Sequence, residues 1–328
     1  MHSPLAARRQ AQPTGVIETL SAGYAALNRQ LWVLLLPIIV DVFLWFGPHV
    51  SYSPLVDPTV THATEWTRQV ALGPRSARNL EIAATLEDTR QWLIAHADDV
   101  NALTLVVWGP VAVPAMGLLP TTAGDLTFVS TWLQGMGILL GCAAASLLLG
   151  AWFYRGLAAA TTGARGGVFS AGRGAPRAVL HVVGLTATLV GVGALLGVPV
   201  LLLVGFTALV SPPVALLGAV LLACGVGFAA LHLFFAIDAM FVSNLGPLAA
   251  IQGSVSTVRR HLWSSVALIA LSWLILLGMG RVWDVLAGAL QAPFGVALGI
   301  LGNAYIASGL IAAGMVFYFE RAERSEQA

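Results

Sequence analysis

Apolar residues fall into long, almost uncharged runs along most of the chain, and runs of this length predict membrane spans. The first extends from about Leu31 to Phe46, bracketed by Trp32 and Trp45 at headgroup level and closed by Gly47-Pro48. Later runs cover about Phe128 to Phe153, Ala178 to Phe206, Val214 to Asp238, Trp263 to Val282 and Val296 to Phe319. Apart from the shorter first run, each can cross about 30 Å of hydrocarbon at about 1.5 Å per residue. The pattern predicts an all-α polytopic transmembrane bundle of about six spans, one over 31–47 and five within 127–328.

Two amphipathic segments flank these spans. Over 14–30, Val16, Ile17, Leu20, Tyr24 and Leu27 form one stripe with Arg29 at its end, as in a helix lying flat on the membrane. Over 241–262, Phe241, Leu245, Leu248, Ile251, Val255 and Leu262 do the same. Between the first two spans, 48–126 predicts an extracytoplasmic helical insertion: from His49 to Asp125 it carries eight acidic and four basic residues. Asp57-Pro58 predicts a helix start, with Val60, Ala63, Thr67 and Val70 on one face. Ile82, Leu86, Thr89 and Leu93 predict a second helix ending near His96. The apolar stretch 103–119 is broken by Gly109-Pro110 and Pro114 and reads as interfacial or re-entrant. Gly137-xxx-Gly141 and Gly193-xxx-Gly197 predict close helix approach.

Composition agrees: 58% of the 328 residues are hydrophobic and 9% charged, where a soluble domain carries about a quarter charged residues. All 16 basic residues are Arg, spread without the concentrated face that nucleic-acid binding needs. Cys142 and Cys224 sit inside apolar runs, so no disulfide framework follows. With both termini cytoplasmic, eleven arginines fall inside and five outside, the arrangement expected in a bacterial cytoplasmic membrane. A seven-span rival, with 103–119 crossing and the N-terminus outside, scores twelve against four. Arg29 beside the first span and the prolines of 103–119 favour six.

Leu27 to Trp32 and Val258 to Trp263 both join an amphipathic helix to a span. Together with Arg165 to Arg177 ahead of the third span, they raise three repeats of a cytoplasmic element plus a two-span hairpin. The alternative is that any outward-going span tends to start with Arg and Trp.

Leu245-Gly246-Pro247-Leu248-Ala249-Ala250-Ile251, followed by Ser254, Arg259, Leu262 and Trp263, resembles a segment of bacterial six-span proteins. These include YciC-like proteins and the membrane domain of some glycerophosphodiester phosphodiesterases. Tyr318-Phe319-Glu320-Arg321 is similar to the close of that group's last helix. The resemblance covers mainly the C-terminal quarter and implies a six-helix membrane domain with no assigned activity. The long insertion departs from it, and no phosphodiesterase domain accompanies it.

Few polar groups lie within the spans. Asp41 stands about ten residues into the first, where an unpaired carboxylate is costly. Its expected partners are a neighbouring helix or Arg281, for which Asp284 is the nearer acid. His232 and Asp238 lie near the end of the fourth span but six residues, about 240° of helical rotation, separate them, so they do not share a face, which argues against a relay between them. Asn303 can bridge helices through its amide. Arg155, Arg165, Arg173 and Arg177, with Arg259 and Arg260, are the expected contacts to anionic lipid, the alternative being topology determination alone. His96, Asp98 and Asp99 are too few in one short run to predict a metal shell. Neither His-Glu-x-x-His nor Gly-x-Ser-x-Gly occurs, and no cofactor motif is present. The functions this leaves are, in order, a non-enzymatic scaffold or accessory factor with a membrane-protein partner, a transporter or channel with a site near Asp41, and a lipid-acting enzyme.

Overall fold

The computed structural model describes residues 15–71, 77–98, 101–116, 126–164, 167–290 and 293–326. Arg8, Arg9, Arg75, Asp99 and Arg165 lie outside the described residues, as do the side chains of Arg68, Arg78, Asp284 and Arg324.

The chain is an all-α multi-pass membrane protein. Helix α1 (Val16–Asn28) leads through a 3-10 turn (Leu31–Leu34) into α2 (Leu35–Phe46), and the two are bent by 89°. Strand β1 (His49–Ser51), helices α3 (Ser53–Ala71) and α4 (Ala77–Ala95), a 3-10 turn (Ala102–Val107) and strand β2 (Leu126–Phe128) make the insertion. Then follow α5 (Trp132–Thr162), α6 (Val168–Val210), α7 (Pro212–Leu233), α8 (Ala236–Val242), α9 (Pro247–Arg260), α10 (Leu262–Ala289) and α11 (Phe294–Glu326). Among the described residues five helices are long and apolar enough to cross a membrane, and the bent pair α1 and α2 makes a sixth when counted as one span.

Helix α11 is the axle of the bundle. Over its most apolar stretch it is 61% buried, whereas that of α6 is 0% buried and turns Leu195, Leu201 and Leu202 outward. Such leucines are stable only among acyl chains. Around α11 the core joins Leu27 of α1, Phe153 and Leu157 of α5, Phe235 and Phe241 near α8, and Val258 of α9, with Phe235 stacked on Phe317 at 5.0 Å.

The packing glycines differ from those expected. A Cβ on Gly137, Gly141, Gly193 or Gly197 would meet nothing within 4 Å, so these pairs face outward. Close approach occurs at Gly23 against the backbone of Ala313, Gly309 against the Tyr24 ring, Gly302 against Trp283 and Gly150 against the Val111 carbonyl. Spacing alone cannot distinguish a glycine facing a helix from one facing lipid.

Both amphipathic helices bury a face of small residues. In α1 this face is Thr19, Gly23, Ala26 and Leu27, laid against α11, while Ile17 of the predicted stripe is 73% exposed. In α9 it is Ala250, Ser254, Thr257 and Val258, with Leu248 exposed. Small residues permit backbone contact, which is worth more here than hydrophobic area, because lipid is as apolar as leucine. The expected third element, Arg165 to Arg177, differs: from Val168 it is continuous with α6, a helix of 43 residues. Separate helices before a span thus occur at α1 and α9 only among the described residues.

The insertion is closed where it leaves and re-enters the bundle. Strands β1 and β2 pair in parallel, His49 with Leu126 and Ser51 with Phe128. Helix α3 starts at Ser53, ahead of the predicted Asp57, and carries Pro58 inside it. The Tyr52 carbonyl accepts the N–H of Leu55 and Val56, and the Ser51 hydroxyl accepts that of Ser53, so the first turn is already satisfied. Arg90 of α4 ties back to α3, its Nε donating to Thr61 Oγ1 at 3.1 Å.

Candidate functional site

After Val107 the backbone has no helix up to Met116, yet it runs inside the bundle. Gly109 sits against Ser146 and Val111 against Gly150, both on α5, and Met116 reaches Gly299 on α11 and the Trp283, Val296 and Ile300 cluster. This segment belongs to the stretch 103–119 expected to be interfacial or re-entrant, of which 117–119 lie outside the described residues. Irregular backbone at membrane depth is tolerable only where protein or a cavity surrounds it. Both conditions hold here.

Asp41 secures the far end of this segment. Its fully buried carboxylate accepts the Met116 N–H through both oxygens, at 2.9 and 3.1 Å. The expected donor was a neighbouring helix or Arg281, but the donor is irregular backbone, because the loop must satisfy its own N–H groups and α2 offers an acceptor. Arg281 is exposed on α10.

Pro114 and Ala115, just before Met116, form part of the wall of a cavity of about 480 Å³ between α8, α10 and α11. Two of the sequence-derived residues meet there. Asp238, 6% exposed, faces it from α8, and its Oδ2 lies 3.0 Å from where a Cβ on Gly314 would stand. Asn303 faces it from α11, with its Nδ2 buried and without a partner. Eleven residues of α11 separate Asn303 from Gly314, so the two polar groups sit roughly 16 Å apart along the helix. The cavity is elongated, with an amide near one end and a carboxylate near the other. Its remaining wall is mostly aliphatic and aromatic. Trp273 and Leu276 line it while 54% and 38% exposed, so its mouth opens on the lipid-facing side of α10.

Comparison of the chain with protein-family models, with curated proteins and with solved structures gives no match.

The other sequence-derived residues lie elsewhere. The His232 ring is tilted against that of Phe228 at 4.1 Å, its Nδ1 2.9 Å from the Phe228 carbonyl, and it lines a different recess from Asp238. Arg155 and Arg177 share a polar recess between α5, α6 and α8, and Arg259 lies by His232. Arg173 and Arg260 are exposed. Asp98 accepts from the Ser51 hydroxyl at 2.7 Å, and the His96 ring stacks on Trp92, so both serve the insertion's closure. No group of three metal-ligating side chains occurs among the described residues.

Two polar residues that shape the site drew no prediction from spacing. Ser254 bridges the break between α7 and α8, its hydroxyl donating to the His232 carbonyl at 2.6 Å and accepting the Phe235 N–H at 3.1 Å. This break lets α8 turn Asp238 inward. Asn101, 1% exposed, accepts the N–H of Val50 and Leu103 and donates to the Pro48 carbonyl, holding the 3-10 turn that leads into the irregular segment. A lone Ser or Asn in a polar stretch carries no periodic signal. Ser254 did fall within the segment that carries the family resemblance.

Proposed function

We propose that the protein is a non-enzymatic membrane protein that takes a single-chain amphiphile from the bilayer into the cavity between α8, α10 and α11. The observation that carries this reading is the pairing of an elongated, lipid-open apolar cavity with one carboxylate, Asp238. The apolar wall suits an alkyl chain. Among the described residues no hydrogen bond reaches the Asp238 carboxylate, which is costly in an apolar wall, and an ammonium or hydroxyl head group removes that cost.

The membrane is the cytoplasmic membrane of a bacterium, with both termini in the cytoplasm. Arg29, whose guanidinium donates to the Ala160 carbonyl, gathers with Arg155 and Arg177 toward one end of the bundle, in keeping with the positive-inside rule. The similarity to YciC-like and related six-span domains supports the same reading. An accessory role toward a membrane-protein partner is compatible with it, the ligand then being what the protein delivers or senses. Transport is the second reading, favoured by the irregular segment whose Pro114 and Ala115 line the cavity.

The test is binding of dodecylamine and dodecanoate to the protein in nanodiscs. Saturable binding with preference for the amine, lost in Asp238→Asn, is the expected result. Equal binding of the two, or preference unchanged by the substitution, overturns the reading.

A further inference from the structure

A second cavity, of about 330 Å³, lies between α5, α6 and α8 and differs in chemistry from the first. Arg155 enters it from α5, Arg177 and His181 from α6, and Asn244 from the turn after α8. Arg177 and His181 are four residues apart and so share one face of α6. No acidic side chain lines the cavity, and neither arginine has an ion pair among the described residues.

The Arg155 guanidinium is held in place. Its Nε donates to the Ala171 carbonyl at 3.2 Å across the hairpin, and its plane lies directly on Gly174, where any side chain would collide with it. Trp152, one turn earlier, fixes the same seam, its Nε1 donating to the Val168 carbonyl at 3.0 Å. The two remaining guanidinium nitrogens are thereby preorganised beside a second guanidinium and an imidazole. Uncompensated like charges repel, and a site that fixes them together is complementary to an anion. Forked donors suit phosphoryl oxygens.

From these contacts we infer that the recess formed by Arg155, Arg177, His181 and Asn244 binds a phosphoryl anion. Arg155 stands seven residues, roughly 10 Å, before the end of α5, a depth at which a lipid head group or a free phosphate ester can reach the recess. It does not rest on the amphiphile reading, since its residues and those of the Asp238 cavity are separate sets.

The experiment is native mass spectrometry of the full chain in detergent, titrated in one arm with dioleoylphosphatidylglycerol and in the other with phenyl phosphate. Wild type and the variants Arg155→Gln, Arg177→Gln, Gly174→Ala and Arg260→Gln are compared. The expected result is saturable binding in at least one arm, weakened about tenfold by each of the first three substitutions and unchanged by Arg260→Gln. Retention of the lipid alone identifies a head-group site; equal binding of phenyl phosphate identifies a phosphate ester from water. Should Arg155→Gln fail to fold, the exposed Arg177 gives the same comparison. Binding that is absent in both arms, or that Arg260→Gln weakens as much as Arg177→Gln, overturns the inference and leaves only diffuse surface charge.

Discussion

Asp41 and Met116 are 75 residues apart in sequence, and the carboxylate of the first caps the backbone N–H of the second with both oxygens. That bond ties the irregular segment to α2 and holds Pro114 and Ala115 in the cavity wall. Substituting Asp41 by Leu leaves the Met116 N–H buried and unpaired, a cost of about 1–3 kcal/mol. Asp41→Asn keeps one acceptor oxygen and loses less. Thermal unfolding in detergent should therefore rank wild type above Asn and Asn above Leu; a Leu variant as stable as wild type contradicts the role.

Glycines divide by what they face. Gly150→Ala pushes a methyl group into the Val111 carbonyl of the irregular segment, and overpacking of this kind costs about 1–3 kcal/mol. Gly137→Ala, on the same helix with nothing within 4 Å, should be neutral or slightly stabilising. Equal melting temperatures for the two variants would show that α5 does not pack on this segment.

Asp238 and stability should trade against each other. Replacing it with Leu removes a polar group from an apolar wall, so the ligand-free protein is expected to unfold at a higher temperature than wild type while losing amphiphile binding. Destabilisation by Asp238→Leu would mean that the carboxylate holds the fold together.

Side assignment is checked by labelling. In a Cys142→Ala, Cys224→Ala background, a cysteine at the exposed Ser130 should react with an impermeant maleimide from outside intact cells. Labelling only after the membrane is permeabilised would reverse the topology.

The sequence made the spans legible because a bilayer demands about twenty apolar residues, a signal too long to arise in a loop. It also singled out Asp41, Asp238 and Asn303, since polar groups at that depth are few. It could not show which of these meet. Asp41 pairs with a backbone amide that any residue except proline at 116 would supply. Asp238 joins the cavity because Ser254, on another helix, stabilises the break at Phe234 and Phe235. The faces buried by α1 and α9 were hidden for a related reason: small side chains at Gly23 and Ala250 carry little hydrophobic signal, although their lack of bulk is what permits contact.

The most direct measurement is photo-crosslinking in native membranes with a diazirine-bearing alkylamine, followed by peptide mapping. Ala307 and Leu310 face the cavity but are only 5% and 8% exposed, so a lipid on the outer surface does not reach them. The account predicts adducts at these two positions, competed by unlabelled dodecylamine and lost when Ala307→Trp fills the cavity. Adducts confined to the outward leucines of α6 and α7, with Ala307 and Leu310 unlabelled, would contradict it.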